Sequence, residues 1–222
     1  MTTPPPTSPA SVVTDLYRAT KTLHTEAERS GIIRDMLRGE ASREGYILLQ
    51  RNLLPAYQAL EAGLESHRDN PLLAKLAAYR LDRASALKAD LDALCGGDFS
   101  QVPVLPEGHA YAQRIAEAAK GDGALLIAHA YTRYLGDLSG GQILKKLLAK
   151  KPGLAPNELT FYDFPAHADL AALKSDYRTA LDDAGKRASQ PQAIVDEGSV
   201  AFQLNTDISW AVQAAIEGAP AS

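Results

Sequence analysis

Apolar residues recur at three- and four-residue intervals almost without pause from Val12 to Ile216, and β-branched clusters are few. That period belongs to helices, so the chain reads as all-α. Breaks at Ser30-Gly31, Gly39, Asn70-Pro71, Gly96-Gly97, Pro103 to Gly108 and Pro152 to Pro165 divide the pattern. They predict helices over 12–29, 32–38, 42–67, 72–94, 107–119, 122–150, 167–187 and 191–217. Pro191 is a strong start for the last of these, whereas Ser42, followed three residues later by Gly45, is a weak one. The segment G-L-A-P-N-E-L-T-F-Y-D-F-P breaks the period and gathers aromatics, which predicts an ordered loop packed on the body. No internal repeat is visible.

One predicted helix carries an anomaly. Tyr131, Tyr134, Leu135 and Leu138 form an apolar stripe that resumes at Ile143, Leu144, Leu147 and Leu148, yet Gly136, Gly140 and Gly141 interrupt it. Each glycine costs about 1 kcal/mol of helix preference against alanine. Two readings fit: tight packing against a neighbouring helix, or a bare helical surface that a ligand approaches, with Asp137 at its edge.

Composition narrows the possibilities. At 222 residues and 45% hydrophobic content, the chain suits one multi-helix domain over 12–217. Residues 1–11 read as a disordered leader and 218–222 as a flexible tail. A net charge of -4 gives no polyanion-binding signature, so nucleic acid is not an expected partner. Cys95 is the only cysteine, which excludes an internal disulfide framework, a cysteine zinc cluster and covalent haem attachment. The leader lacks a positive region followed by an apolar core, and no apolar run approaches the roughly 18 residues of a membrane helix. A cytoplasmic monomer without membrane contact is the expectation.

Among the five histidines, His67, His109 and His167 read as solvated, from their places beside charges or after prolines. His24 emerges at the edge of the stripe formed by Leu16, Ala19, Thr20, Leu23 and Ala27, with Glu28 one turn on. A carboxylate there can accept the second ring N–H of a metal-binding imidazole and fix its tautomer; a boundary histidine with a structural partner is the alternative. His129 ranks second, because helical rotation turns it away from Gly136. The paired E-x-x-H stretches of a di-iron bundle are absent, and Cys95 has no neighbouring histidine to activate it. Lys174 and Arg178, one turn apart, could pair with carboxylates of a ligand or form a solvated basic face.

Taken together, Y-T-R-Y-L-G-D-L-S-G-G-Q-I-L-K-K resembles the distal-helix signature of the haem oxygenase family, and A-T-K-T-L-H-T-E-A-E resembles its proximal helix. Weaker similarity runs through A-H-A-Y, through Tyr57 to Glu61 and through A-F-Q-L-N, covering about 12–212. The resemblance implies haem b, both cofactor and substrate, sandwiched between a proximal and a kinked distal helix. It also implies ring opening by dioxygen at a meso carbon, α by expectation, to biliverdin, carbon monoxide and ferrous iron. Electrons would come from a soluble ferredoxin or flavin reductase. By the same resemblance His24 is the iron ligand and Glu28 its hydrogen-bond partner. Gly136 and Gly140 lie over the haem, and Asp137 organises distal water with Arg133, Tyr57 and Asn205. Lys174, Arg178 and Tyr131 meet a propionate, and Met36 and Phe202 contact the macrocycle. Tyr17 stands where the family often has a basic residue, with Arg18 and Lys21 nearby, which leaves haem rotation open. A non-catalytic haem binder would need His24 but not Asp137. A thiamine-degrading relative of the fold would need neither motif.

Overall fold

The computed structural model describes residues 11–150 and 152–218. Among them the only regular elements are helical: α1 (Val12–Glu28), α2 (Gly31–Arg38), α3 (Arg43–Ser66), α4 (Ala74–Ala78), α5 (Ala84–Cys95), α6 (Pro106–Ala118), α7 (Leu126–Ala130), α8 (Gln142–Lys150), α9 (Leu170–Arg187) and α10 (Pro191–Glu217). Two π-helical segments, Tyr131–Leu135 and Asp137–Gly141, join α7 to α8. The all-α expectation is met.

Local chemistry sets most boundaries. Ser11 caps α1 by accepting from the Thr14 amide, and its hydroxyl donates to Asp182 on α9 at 2.8 Å, so Ser11 belongs to the folded body and not to a leader. Residues 1–10 and 219–222 lie outside the described residues. Ser42, weak in the sequence, does cap α3, accepting from the Gly45 amide at 3.0 Å. Asp169 caps α9 through the amides of Ala171 and Ala172, which moves the start of that helix three residues beyond 167. The predicted helix over 122–150 begins only at Leu126, after turns at Gly121 and Gly123 with φ of +67° and +70°.

The single helix predicted over 72–94 is broken. Arg80 adopts φ +50°, and residues 80–83 leave the helix. Glu61 of α3 accepts the amides of Arg83 and Ala84, supplying from another element the cap that starts α5. His67 is not solvated as expected. It is half-buried at the end of α3, where its Nε2 lies 2.8 Å from the Ala119 carbonyl oxygen. His167 is likewise half-buried, with Nε2 shielded from solvent; His109 is exposed, as expected.

The long α10 is the axis of the fold and packs on α1, α2, α3, α6 and α7. The loop over 153–165 is ordered, as predicted: Leu154, Leu159, Phe161, Tyr162 and Phe164 are all buried. Arg43 of α3 and Asp90 of α5 grip it through Glu158 and Thr160. The result places α1 opposite the π-helical segments, with α9 and α10 flanking the gap.

Candidate functional site

That gap is a cleft of about 410 Å³. Tyr17, Thr20, Lys21 and His24 of α1 face Tyr131, Thr132, Leu135, Gly136, Ser139 and Gly140, while Lys174 and Arg178 of α9 and Phe202 of α10 close the sides. It runs inward, across His24, Thr132, Gly136, Gly140 and Phe202, into a chamber of about 220 Å³. Met36, Leu49, Gln50, Leu53, Arg133, Asp137, Phe161, Tyr162 and Asn205 wall that chamber. A larger depression of about 520 Å³ behind the π-helical segments is lined by Glu61, Arg80 and Tyr134 and contains no histidine.

On α1, the buried Leu16, Thr20 and Ala27 turn the helix so that His24 emerges into the cleft. Its side chain is 59% exposed, with Nδ1 3.7 Å from Glu28 Oε1, and its ring centroid is 5.9 Å from that of Phe202. At 3.7 Å the contact is longer than the hydrogen bond the resemblance implies, and with the carboxylate on the Nδ1 side, Nε2 is left free for a ligand. His129 points elsewhere. It is fully buried, its Nε2 2.9 Å from Glu197, so its rank as second ligand candidate is withdrawn.

The opposite wall answers the glycine question. A Cβ added at Gly136 or Gly140 would meet nothing within 4 Å, so helix packing does not demand glycine at either position. Gly141 differs: its Cβ would lie 3.1 Å from Tyr162, and there tight packing is the reason. The wider π-helical turn is a feature frequently found at functional sites. Bare backbone at Gly136 and Gly140 facing an imidazole suits a flat ligand, as a side chain at either would project into the cleft. Two wall atoms, Thr132 Oγ1 and Gln50 Oε1, are buried without a hydrogen-bond partner.

Behind the glycines lies a buried polar network. The Tyr57 hydroxyl donates to Asp137 Oδ2 at 2.6 Å, and Arg133 donates to the Tyr57 oxygen through Nε at 3.0 Å and Nη2 at 2.7 Å. Arg133 Nη1 also donates to Asn205 Oδ1, and Nη2 lies 3.6 Å from Asp137 Oδ1. Burial raises the Asp137 carboxyl above the usual carboxylate range, while Arg133 and the Tyr57 hydroxyl draw it back. Burial likewise pushes the Tyr57 hydroxyl well up, with Arg133 opposing. The Asp137 carboxyl is thus held in place at the chamber wall.

At the mouth, Lys174 is half-buried and Arg178 exposed, both beside Tyr131, whose hydroxyl is raised by burial. This basic pair, with Lys21 across the opening, can receive anionic groups of a ligand whose apolar body fills the cleft.

Every site residue expected from the sequence falls on this cleft, its chamber or the network behind them. Thr132, Gln50, Leu53, Phe161 and Tyr162 were missed. Gln50, Leu53 and Tyr57 share one face of α3 at helical spacing, a signal that Tyr57 alone could have extended; the loop aromatics carried no signal of which wall they join.

The chain matches the family model described as "Heme oxygenase" over residues 10–211. It is 37% identical to "Heme oxygenase 1" of Nostoc sp. over 198 residues, 88% of this chain and 83% of that protein. The crystal structure of heme oxygenase-1 from Synechocystis sp. PCC6803 in complex with heme superposes with a TM-score of 0.87 at 34% identity, covering 94% of this chain and 95% of that one. Heme oxygenase from Leptospira interrogans gives 0.85 at 34% identity, covering 91% and 100%. With its glycine-backed cleft, its His24 and a similarity that spans nearly the whole chain, this chain belongs to the haem oxygenase family.

Proposed function

We propose that this chain is a haem-degrading enzyme that opens the macrocycle at a meso carbon, α by expectation, yielding biliverdin, carbon monoxide and ferrous iron. The observation that carries the reading is the open space over Gly136 and Gly140, bounded by His24 on one side and by Asp137 with its network on the other. Haem is the substrate, and when bound it supplies the iron at which dioxygen is reduced and the carbon that is oxidised.

His24 would hold the metal through Nε2. Glu28, 3.7 Å from Nδ1, is the carboxylate placed to orient the ring. Gly136 and Gly140 leave room along the plane where a side chain would block approach to the ring edge. Asp137, fixed by Tyr57 and Arg133, is placed where it would hold a water in the chamber and pass protons through it. Leu49, Leu53 and Phe161 exclude bulk water from that chamber. Lys174 and Arg178 take the propionates and so decide which meso carbon is turned toward Asp137.

Electrons come from a soluble ferredoxin or flavin reductase, and the site of action is the cytoplasm. No helix among the described residues is long and apolar enough to cross a membrane. Exposed Lys146 and Lys150 offer charge for docking such a donor. The neighbouring Lys145 is paired with Asp163, and Lys151 lies outside the described residues.

Adding haemin and then reductant under air, with the visible spectrum recorded throughout, tests the reading. A new Soret band followed by its loss and the appearance of biliverdin absorption is expected. A stable Soret band that no reductant bleaches would mark a haem carrier, and no band at all would refute the assignment.

A further inference from the structure

Asp90 of α5 is fully buried, yet it lines neither the cleft nor the chamber. Its carboxylate accepts the amide of Thr160 at 2.9 Å, the amide of Phe161 at 2.8 Å and the Thr160 hydroxyl. Arg83 donates to the carbonyl oxygens of Phe161, at 3.1 Å, and of Asp163. Both backbone polar groups of Phe161 are therefore held by charged side chains from outside its own loop.

Phe161 is a chamber wall, and its ring meets Tyr57 edge-on, centroids 5.4 Å apart at 74°. Tyr57 in turn donates to Asp137. A continuous line of contacts thus runs from Asp90, through Phe161 and Tyr57, to the Asp137 carboxyl on the chamber wall. A carboxylate suits the start of that line because it offers only acceptors; an amide would place a donor against the amides of Thr160 and Phe161. Burial raises the Asp90 carboxyl, and the hydrogen bonds from Thr160 and Phe161 draw it back, so the group is held by the loop it holds.

We propose that Asp90 is a positioning residue for the distal face: by fixing the Phe161 backbone it sets the ring against Tyr57, and through Tyr57 the direction of the hydrogen bond given to Asp137. The proposal rests on the haem-degrading function argued above. It predicts that a change at Asp90, with no contact to the ligand, alters the hydrogen bonding of the chamber.

Three variants test it as full-length protein with haemin: Asp90→Asn, Thr160→Val, which removes only the hydroxyl donor, and Leu87→Ala, a cavity in the same helix that touches neither loop amide. The pH midpoint of the visible spectrum reports the distal face, where Arg133, Asp137 and Tyr162 are the titratable or charged groups, Gln50, Thr132 and Asn205 the neutral polar ones, and Tyr57 lies directly behind Asp137. Asp90→Asn is expected to take up haemin as the parent does, to move that midpoint and to lower kcat about 10-fold, with the half-saturating reductant concentration unchanged. Thr160→Val should move the midpoint in the same direction and less. Leu87→Ala should lower the melting temperature and leave the midpoint in place. A parental midpoint in Asp90→Asn, or in Thr160→Val if Asp90→Asn does not fold, overturns the proposal, as does an equal movement in Leu87→Ala. A parent that takes up no haemin overturns the functional reading and this inference together, whereas a parent that binds and a variant without a shift remove the inference alone.

Discussion

The two walls of the cleft are built on opposite principles. On α1, His24 and Glu28 stand on ordinary α-helix with side chains 59% and 52% exposed, joined by one contact of 3.7 Å. Across the gap, Asp137, Tyr57 and Arg133 are buried on π-helical backbone and on α3, linked by hydrogen bonds of 2.6 to 3.0 Å. An exposed pair like the first contributes about 0–1 kcal/mol to the fold. Each buried group of the second, left without its partner, costs about 1–3 kcal/mol. The proposed function accounts for the difference: a metal bond would orient an exposed imidazole once it formed, but a proton relay must be in place beforehand, because water would otherwise compete for every donor.

Replacing the proposed metal ligand should give the largest functional effect and the smallest structural one. His24→Ala is expected to abolish turnover, with the melting temperature of the ligand-free protein unchanged, since the side chain it removes is more than half exposed. Added imidazole should restore part of the activity by occupying the space left. Full turnover in the unsupplemented variant would break the comparison at its first wall.

The distal wall should behave in the reverse way. Asp137→Ala leaves the buried Tyr57 hydroxyl without its acceptor and Arg133 without the carboxylate 3.6 Å away, so the ligand-free protein should lose about 1–3 kcal/mol of stability, seen as an earlier thermal transition. Haemin affinity should stay within a few-fold of the parent, because His24 and the glycine face are untouched. Ring opening should fall about 100-fold or more, the usual consequence of removing a preorganised polar group from the reacting face. Biliverdin yield after one turnover, set beside oxidation of an added phenol, reads the outcome. An undiminished yield would move the proton role to another residue.

The same contrast explains what the sequence could and could not show. His24 with Glu28, and Gly136 with Gly140, are each one turn apart on their own helices, so spacing displayed them as candidates, and the resemblance to a family chose between the readings that spacing left open. The Arg133 to Tyr57 contact joins residues 76 positions apart, and the resemblance to a family, not periodicity, brought them together. The break at Arg80 was invisible because its cause, Glu61 accepting the amides of Arg83 and Ala84, lies on another helix. The π-helical geometry was also hidden: glycine spacing reports where a helix is bare and not how many residues fill its turn. Tertiary partners decided His67 and His129 as well, one by a carbonyl at Ala119 and the other by Glu197.

The rim should show the smallest effect, and it sharpens the comparison because it is as exposed as the proximal wall yet has no metal bond to hold it. Lys174→Glu with Arg178→Glu turns two attractions for propionates into repulsions. Exposed pairs are worth about 0.2–1 kcal/mol each, so the double variant should raise the Kd for haemin about 10-fold at low salt. Because those charges lie near solvent, the difference from the parent should shrink as ionic strength rises and the screening length falls below about 10 Å. Melting behaviour should be unaltered, as both side chains point away from the buried Leu173 and Tyr177 of α9. If these residues also fix the rotation of the macrocycle, the biliverdin formed should contain isomers other than the parent's, resolved by chromatography. Unchanged affinity at low salt together with an unchanged product would mean that the two residues are a solvated basic face, and that the cleft is held by His24 and its apolar walls alone.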